Sequence, residues 1–294
     1  MTRPWVAIQR NPRSGAGPRA KILLELVAGL KRHGLRPHLF SKRERCDERL
    51  RDLAPEDQPR CIVAAGGDGT VGDVVNRFPH LPVAVLPLGT ENLLARYLGI
   101  QRSGEFVAEM IAANQVAAFD LCSVGERRLT LMAGFGFDAD VVRRVDDSRQ
   151  GHIRHWSYAR PMWQAFRHYT FPQMRFYVDE DPEPRLATVG FVVNMPVYGF
   201  NLPIAKSANP NDGLLDLRLF SPTSMFQFLR QFASILRGRH ERLPTVQCLQ
   251  AKTIRVECDE DVPVQVDGDP AGFTPATIHT HPGALKVLVP ACHS

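Results

Sequence analysis

The sequence predicts a two-domain protein of the α/β plus β class: a doubly wound α/β domain first, then a β-sandwich-like domain. Three observations carry the prediction. The first part of the chain alternates short β-branched runs with amphipathic helical patterns, the signature of a parallel sheet covered on both faces. Beyond Phe171 the chain becomes a series of short strand-like runs separated by turn residues, which reads as an antiparallel sandwich or sheet pair. At 294 residues, the chain is long enough to bury a core in each of two modest domains. The expected boundaries are 1–122 for the first domain and 123–284 for the second, with 285–294 packing back on the first.

In order, WVAIQR reads as a strand, PRAKILLELVAGLKRHG as an amphipathic helix closed by Gly34, and RPHLFS as a second strand. A charged helix around CDERLRDLA follows. Then come the strand CIVAA, a helix over VGDVVNRF, the strand VAVLP and a helix over ENLLARYLG. In such a sheet ligands gather at the carboxyl ends of the strands, where RNPRSGAG, GGDGT and PLGTEN form the loops. After about Cys122, helical patterns remain over GFDADVVRRV and HIRHWSYARPMWQAFRHY. The strand-like runs are QMRFYVD, LATVGFVVNM, GLLDLRLF, TIRVEC, VPVQVDG, ATIHTH and ALKVLV, interrupted by the helix SMFQFLRQFASILRG.

A net charge of +5 and a pI near 9.0 suit an anionic partner such as a phosphate compound, an acidic membrane surface or nucleic acid. Six scattered cysteines without CxxC spacing suggest neither a zinc site nor a disulfide framework, and a reducing cytoplasm is their simplest home. No signal-peptide-like apolar stretch and no run of membrane-spanning length occurs, so membrane contact is expected to be peripheral and transient. The helical pattern over residues 152–169 mixes Trp156, Trp163, Phe166 and Tyr169 with Arg154, Arg160 and Arg167. It suits an anionic membrane surface, or a packed helix with a solvated basic face. The histidines show no HExxH spacing, so imidazole metal catalysis is not expected. A homodimer is compatible with the sequence.

The stretch CIVAAGGDGTVGDVVN runs from a strand into glycines and then a helix. Gly66, Gly67 and Gly69 are expected to allow positive φ and a close backbone approach to a ligand. Amides at the following helix N-terminus favour an anion, phosphate above all, although a tight structural turn uses the same residues. No Gly-Lys-Ser/Thr follows and the glycines do not fall as GxGxxG, which excludes the two commonest phosphate loops. Asp68 inside the loop would repel a phosphate unless it holds a divalent cation or accepts a proton from an attacking hydroxyl.

GGDGT with NPRSG upstream and PLGTEN downstream, followed in order by AFDLCSV, AGFGFDADVV, NPNDGLLDLRLF and VQVDGDP, resembles the lipid kinases that include diacylglycerol kinases, sphingosine kinases and their soluble bacterial relatives. The resemblance covers nearly the whole chain. It implies a nucleotide-binding first domain, a lipid-binding second domain and an active site in the cleft between them. The implied reaction is ATP- and Mg²⁺-dependent phosphorylation of a lipid hydroxyl, with diacylglycerol, sphingosine or a phosphatidylglycerol-type lipid as acceptor. It would serve phospholipid metabolism on a lipid presented at a membrane surface, without a nucleic-acid partner.

By resemblance, Asn11, Ser14, Gly15, Ser41, Gly66, Gly67, Asp68, Gly69, Thr70, Val71, Gly72, Thr90 and Asn92 would surround ATP. Asp68 would hold metal or water near the γ-phosphate, with Asn92 close to the reaction centre. Asp120 would join that network or touch the substrate's polar head. In NPNDGLLD, Asp212 would bind a structural Mg²⁺ with its side chain, and Asn209 and Leu214 with main-chain carbonyls. Asp267 and Asp269 of VDGD are the remaining catalytic candidates. Bacterial relatives carry glutamate where this chain has Asp269, the implied base, and one methylene less requires the backbone to approach by about 1.5 Å. Read from the residues alone, VDGD also suits a plain hairpin turn.

Two departures from the family pattern stand out. Leu93 follows Asn92 where many relatives place a second aspartate, and Asp73 replaces the family's glutamate. The missing carboxylate at Leu93, together with the shortened Asp269, keeps open a non-catalytic nucleotide or lipid sensor. NAD kinase, which shares the GGDG loop, is the enzymatic rival, but PLGTENLLARYLG lacks its glycine-leucine-glycine pattern.

Overall fold

The computed structural model describes residues 4–11, 18–147 and 169–291. The chain divides into two compact units, Met1–Phe119 with Gly283–Ser294, and Asp120–Pro282.

The first unit is built on parallel strands β1 (Trp5–Arg10), β2 (Arg36–Phe40), β3 (Ile62–Gly66) and β4 (Val83–Pro87), in the order β2-β1-β3-β4. β3 and β4 are buried at every position, which is why they read as unbroken apolar runs rather than alternating ones. The helices are α1 (Pro18–Arg32), α2 (Arg43–Leu50), α3 (Asp68–Arg77), α4 (Leu93–Tyr97) and α5 (Gly104–Ala113). α1 packs on α5, while Arg77 of α3 is tied to Asp47 of α2 at 2.9 Å. Helix α5 had no counterpart in the sequence reading, although its caps are visible there. Ser103 accepts from the Phe106 amide at 3.3 Å, and Asn114 closes the helix at φ 55°. The strand order reverses direction between β1 and β3, so the loops after these strands meet at the switch point of the sheet.

Strand β5 (Val116–Val124) leads into the second unit. There follow β6 (Arg127–Leu129), β7 (Met132–Phe135), α6 (Phe137–Asp147), β8 (Met174–Val178), β9 (Arg185–Ala187), β10 (Val189–Val193) and β11 (Leu215–Phe220). Then come α7 (Met225–Leu236), β12 (Val246–Ala251), β13 (Thr253–Glu257), β14 (Pro263–Val266), β15 (Asp269–Phe273) and β16 (Ala276–Leu288). One antiparallel sheet runs β12-β11-β10-β7-β14-β15, and β9-β8-β13-β16 run antiparallel in the other. Side chains from both form one buried cluster, as a sandwich requires. Phe135 of β7 meets Phe176 of β8 edge-on at 5.9 Å, and Gly190 of β10 makes room for that ring: a Cβ there would come within 2.5 Å of it.

The sequence reading expected separate strands over ATIHTH and ALKVLV. They are one strand, β16, which passes through Pro282 and Gly283, the latter at φ 64°. Its start pairs with β13 in the second unit and Val287 pairs with Val83 in the first. Of the expected helix over 152–169, all but Tyr169 lies outside the described residues, as do Ser14 and Gly15.

Candidate functional site

The glycine loop does not use positive φ. None of Gly66, Gly67 and Gly69 lies in the left-handed region, contrary to the expectation from sequence. Gly66 and Gly67 serve by their size instead. A Cβ on Gly66 would sit 2.1 Å from Thr70 Oγ1, and one on Gly89 would sit 2.4 Å from the Gly67 Cα. The β3–α3 loop and the β4–α4 loop thus touch backbone to backbone. At Gly69 and Gly72 a Cβ would meet nothing within 4 Å, so the start of α3 keeps open space beside it. The left-handed residue is Asn92, at φ 50° and ψ 54°.

Asn92 is buried, and its side chain closes its own loop: Oδ1 accepts from the Gly89 amide at 2.8 Å and Nδ2 donates to the Gly89 carbonyl at 3.0 Å. The turn aims the next amide, that of Leu93, at Asp68 Oδ1, 2.7 Å away. Asp68 is the first residue of α3, where helix amides lack intrahelical acceptors and favour an anion. Asn11 follows β1 and donates through Nδ2 to Thr70 Oγ1 at 3.3 Å. Val71 and Thr70 are buried and belong to the support of the loop, while Ser41 and Thr90 are exposed. Asp73 is committed to Arg77, at 2.9 Å, and to Arg43.

Two basic residues escaped the sequence reading. Arg10, at the end of β1, encloses its Nε without an acceptor among the described residues, a donor suited to an anion. Arg102 donates to the Gly89 carbonyl at 2.5 Å and braces the β4–α4 loop from outside. Neither falls in a recognisable pattern. Arg10 is marked only by standing at a strand end beside Asn11.

In the second unit, Asp267 and Gly268 form the two-residue turn between β14 and β15, at φ 50° and 84°. The Asp267 carboxylate turns back onto the segment before β7. It accepts from the amides of Thr130, Leu131 and Met132 at 2.8, 2.9 and 3.0 Å and from Thr130 Oγ1 at 3.1 Å. Enclosure of the carboxylate pushes its pKa above the ordinary range, against the pull of these donors. Asp269, by contrast, is half-exposed at the head of β15, with Arg127 Nη2 3.3 Å from Oδ2 and Arg127 Nη1 2.6 Å from the Pro270 carbonyl. The structure therefore separates the VDGD pair, leaving Asp267 ringed by donors and Asp269 accessible with a cationic neighbour.

Asp120 is buried and gathers the NPNDG turn. Its Oδ2 accepts from the Gly213 amide at 2.7 Å, and its amide donates to the Pro210 carbonyl at 2.6 Å. Asn209 and Asp212 close turns of their own, accepting from the amides of Asn211 and Leu214 at 3.2 and 2.9 Å. Asp212 is exposed, with one oxygen outside these bonds. Among the described residues no group of three or more His, Cys, Asp or Glu converges. One carboxylate with main-chain carbonyls is a hard-oxygen set that fits Mg²⁺ retaining several waters.

Asn194, absent from the sequence reading, connects these parts. It is buried, and its Nδ2 donates to the carbonyls of Asp120 and Thr130 at 2.9 and 2.8 Å. Through it the Asp120 turn and the segment gripped by Asp267 share one side chain. Asp138, inside the quoted GFGFDAD stretch, was also missed. It accepts from the Tyr198 hydroxyl and from Gln265 Nε2, the latter at 2.9 Å, and burial pushes its carboxyl up.

The first unit is an α/β fold with an anion-ready loop at the switch point of its sheet, and the second is an antiparallel sandwich. Comparison with known proteins supplies the family. Residues 6–124 match the diacylglycerol kinase catalytic domain and residues 132–289 the YegS C-terminal NAD kinase beta sandwich-like domain. The chain is 30% identical to a diacylglycerol kinase of Mycobacterium tuberculosis, over 95% of this chain and 93% of the relative. It is 27% identical to a diacylglycerol kinase of Bacillus subtilis, over 78% and 77%. A crystal structure of a putative diacylglycerol kinase from Bacillus anthracis shares the fold, with a TM-score of 0.76, 19% identity and 98% of both chains covered. The chain belongs to the diacylglycerol kinase family and is a lipid kinase. Family membership implies that the phosphoryl donor is a nucleotide, ATP.

Proposed function

We propose that this lipid kinase transfers the γ-phosphoryl group of ATP to the free hydroxyl of a diacylglycerol-type lipid, with Mg²⁺ bound. The observation that carries the reading is the loop after β3: a carboxylate, Asp68, fixed by the Leu93 amide at 2.7 Å beside glycines that leave open space. Amides at the start of α3 and the Arg10 guanidinium would bind the phosphates, and Asn11 and Asn92 hold that loop in shape. Mg²⁺ would supply charge neutralisation on the transferring phosphoryl group, with Asp68 as its protein ligand. Asp269 would accept the proton of the lipid hydroxyl through a hydrogen bond late in transfer, with Arg127 orienting it. Asp267 is a positioning residue that holds the Thr130–Met132 segment. Asp212, with the carbonyls of Asn209 and Leu214, would form the second Mg²⁺ site, and Asp120 would hold its turn through the Gly213 amide.

The proposal includes a cytoplasmic location with transient membrane contact. Its support is the free state of five described cysteines, and no described helix is long and apolar enough to cross a membrane. The test is incubation with labelled ATP and a panel of diacylglycerol, sphingosine, phosphatidylglycerol and NAD, with the product identified by mass. Label is expected in the diacylglycerol-type lipid, and Asp269→Asn is expected to lower kcat by about 100-fold while leaving the protein folded. Label entering NAD alone overturns the proposal.

A further inference from the structure

Helix α7 carries more apolar surface than its own unit covers. Viewed down the axis at about 100° per residue, Ile235, Phe228 and Phe232 fall on one side, where Phe228 contacts Phe137, Phe171 and Phe232. A core-facing helix needs an apolar stripe of about 100°. Here the arc continues through Leu236, Leu229 and Ala233 to Phe226, covering roughly half the circumference. Phe226 is 77% exposed, Leu236 58% and Leu229 44%. Arg230 and Arg237 come next around the helix and border this face.

Single exposed leucines need no explanation, but three large apolar side chains on one face of one helix do. The charge beside them selects the occupant. α7 contains no acidic residue, and from Arg230 to Arg242 there are four arginines, with Glu241 as the one acid, held by Arg218 at 2.7 Å. An apolar strip bordered by arginines is the pattern of a helix lying in the interface of an anionic membrane.

We propose that the face formed by Phe226, Leu229, Ala233 and Leu236, bordered by Arg230 and Arg237, docks on a membrane surface containing anionic lipid. The choice of a membrane rests on the reading of the protein as a kinase of a membrane lipid.

The test is co-sedimentation of the full chain with phosphatidylcholine vesicles, with and without phosphatidylglycerol. Wild type is expected to bind the anionic vesicles, less so at high salt. Phe226→Ser/Leu229→Ser/Leu236→Ser should lose about 100-fold or more in partition. Arg230→Gln/Arg237→Gln should lose roughly tenfold or more, on anionic vesicles only. Both variants should keep the wild-type circular dichroism and should phosphorylate a short-chain, water-dispersed diacylglycerol as wild type does. Wild type that binds neither vesicle overturns the proposal, as does a triple variant that binds normally. A wild-type dimer that the triple variant converts to monomer, seen by sedimentation equilibrium, makes the face a subunit interface and also overturns it. Wild type that binds vesicles through α7 yet phosphorylates no lipid refutes the proposed substrate while leaving the docking face standing.

Discussion

The main-chain amide of Leu93 donates to Oδ1 of Asp68 at 2.7 Å, tying the start of α4 to the start of α3. The donor is the main chain, so this bond does not depend on the side chain at position 93. Truncation to Leu93→Ala should therefore change the phosphorylation rate by less than about threefold, because the hydrogen bond survives. Asp68→Asn retains an acceptor for the amide but loses the charge. It should hold the wild-type Tm and lose about 100-fold in kcat, whereas Asp68→Ala should lose both. Equal activity of Asp68→Asn and wild type would show that the carboxylate's charge plays no part.

Asp267 offers a stability test. Asp267→Ala strips the acceptor from three amides and a hydroxyl and leaves a Cβ residue at φ 50°. The expected loss is about 3 kcal/mol or more, read as a lower urea midpoint. Asp267→Asn, which tolerates the left-handed conformation and keeps one oxygen, should lose less. An unchanged midpoint for Asp267→Ala would show that the cradle adds nothing.

The proposed Mg²⁺ site makes a prediction without nucleotide or lipid. Adding MgCl₂ at about 100 times its dissociation constant should stabilise the folded protein by roughly 2.7 kcal/mol, a rise in Tm of several degrees. EDTA should reverse the rise and Asp212→Ala should abolish it. A rise that persists in Asp212→Ala places the ion elsewhere.

The Asp138–Tyr198 pair predicts a pH dependence. Burial raises the folded pKa of Asp138 above 3.8, so the cost of its charged form is fully present above the raised value and disappears as pH falls through it. Tyr198→Phe removes a donor to that charge and raises the pKa further. Its destabilisation, about 1–3 kcal/mol at mildly alkaline pH, should shrink as pH is lowered towards the ordinary carboxylate range. Chemical denaturation across pH checks it, and a penalty that grows on acidification reverses the sign and refutes the account.

Local chemistry decides what can be read without coordinates. The continuous apolar runs of β3 and β4, the period of α1 and the Asp-Gly turn at 267–268 all follow from interactions within a few residues, and they were legible in the sequence. So was the family, because its glycines and carboxylates recur in a set order. The purpose of the glycines was not legible. Gly67 is small because Gly89 lies against it, a contact between loops twenty-two residues apart, whereas the positive φ expected of the glycines belongs to Asn92. Asn194 gave no signal either, because its partners, Asp120 and Thr130, come from distant parts of the chain.

The sequence by itself determined most of the elements, their class and the family, since periodicity, turn residues and ordered motifs are properties of neighbours along the chain. Only the tertiary structure decided which carboxylates are enclosed by donors and which stay open. Asp267 and Asp269 are two residues apart and chemically identical, yet one meets the amides of Thr130–Met132 and the other solvent and Arg127. A carboxylate's role depends on the donors and the water around it, and folding brings those from elsewhere in the chain.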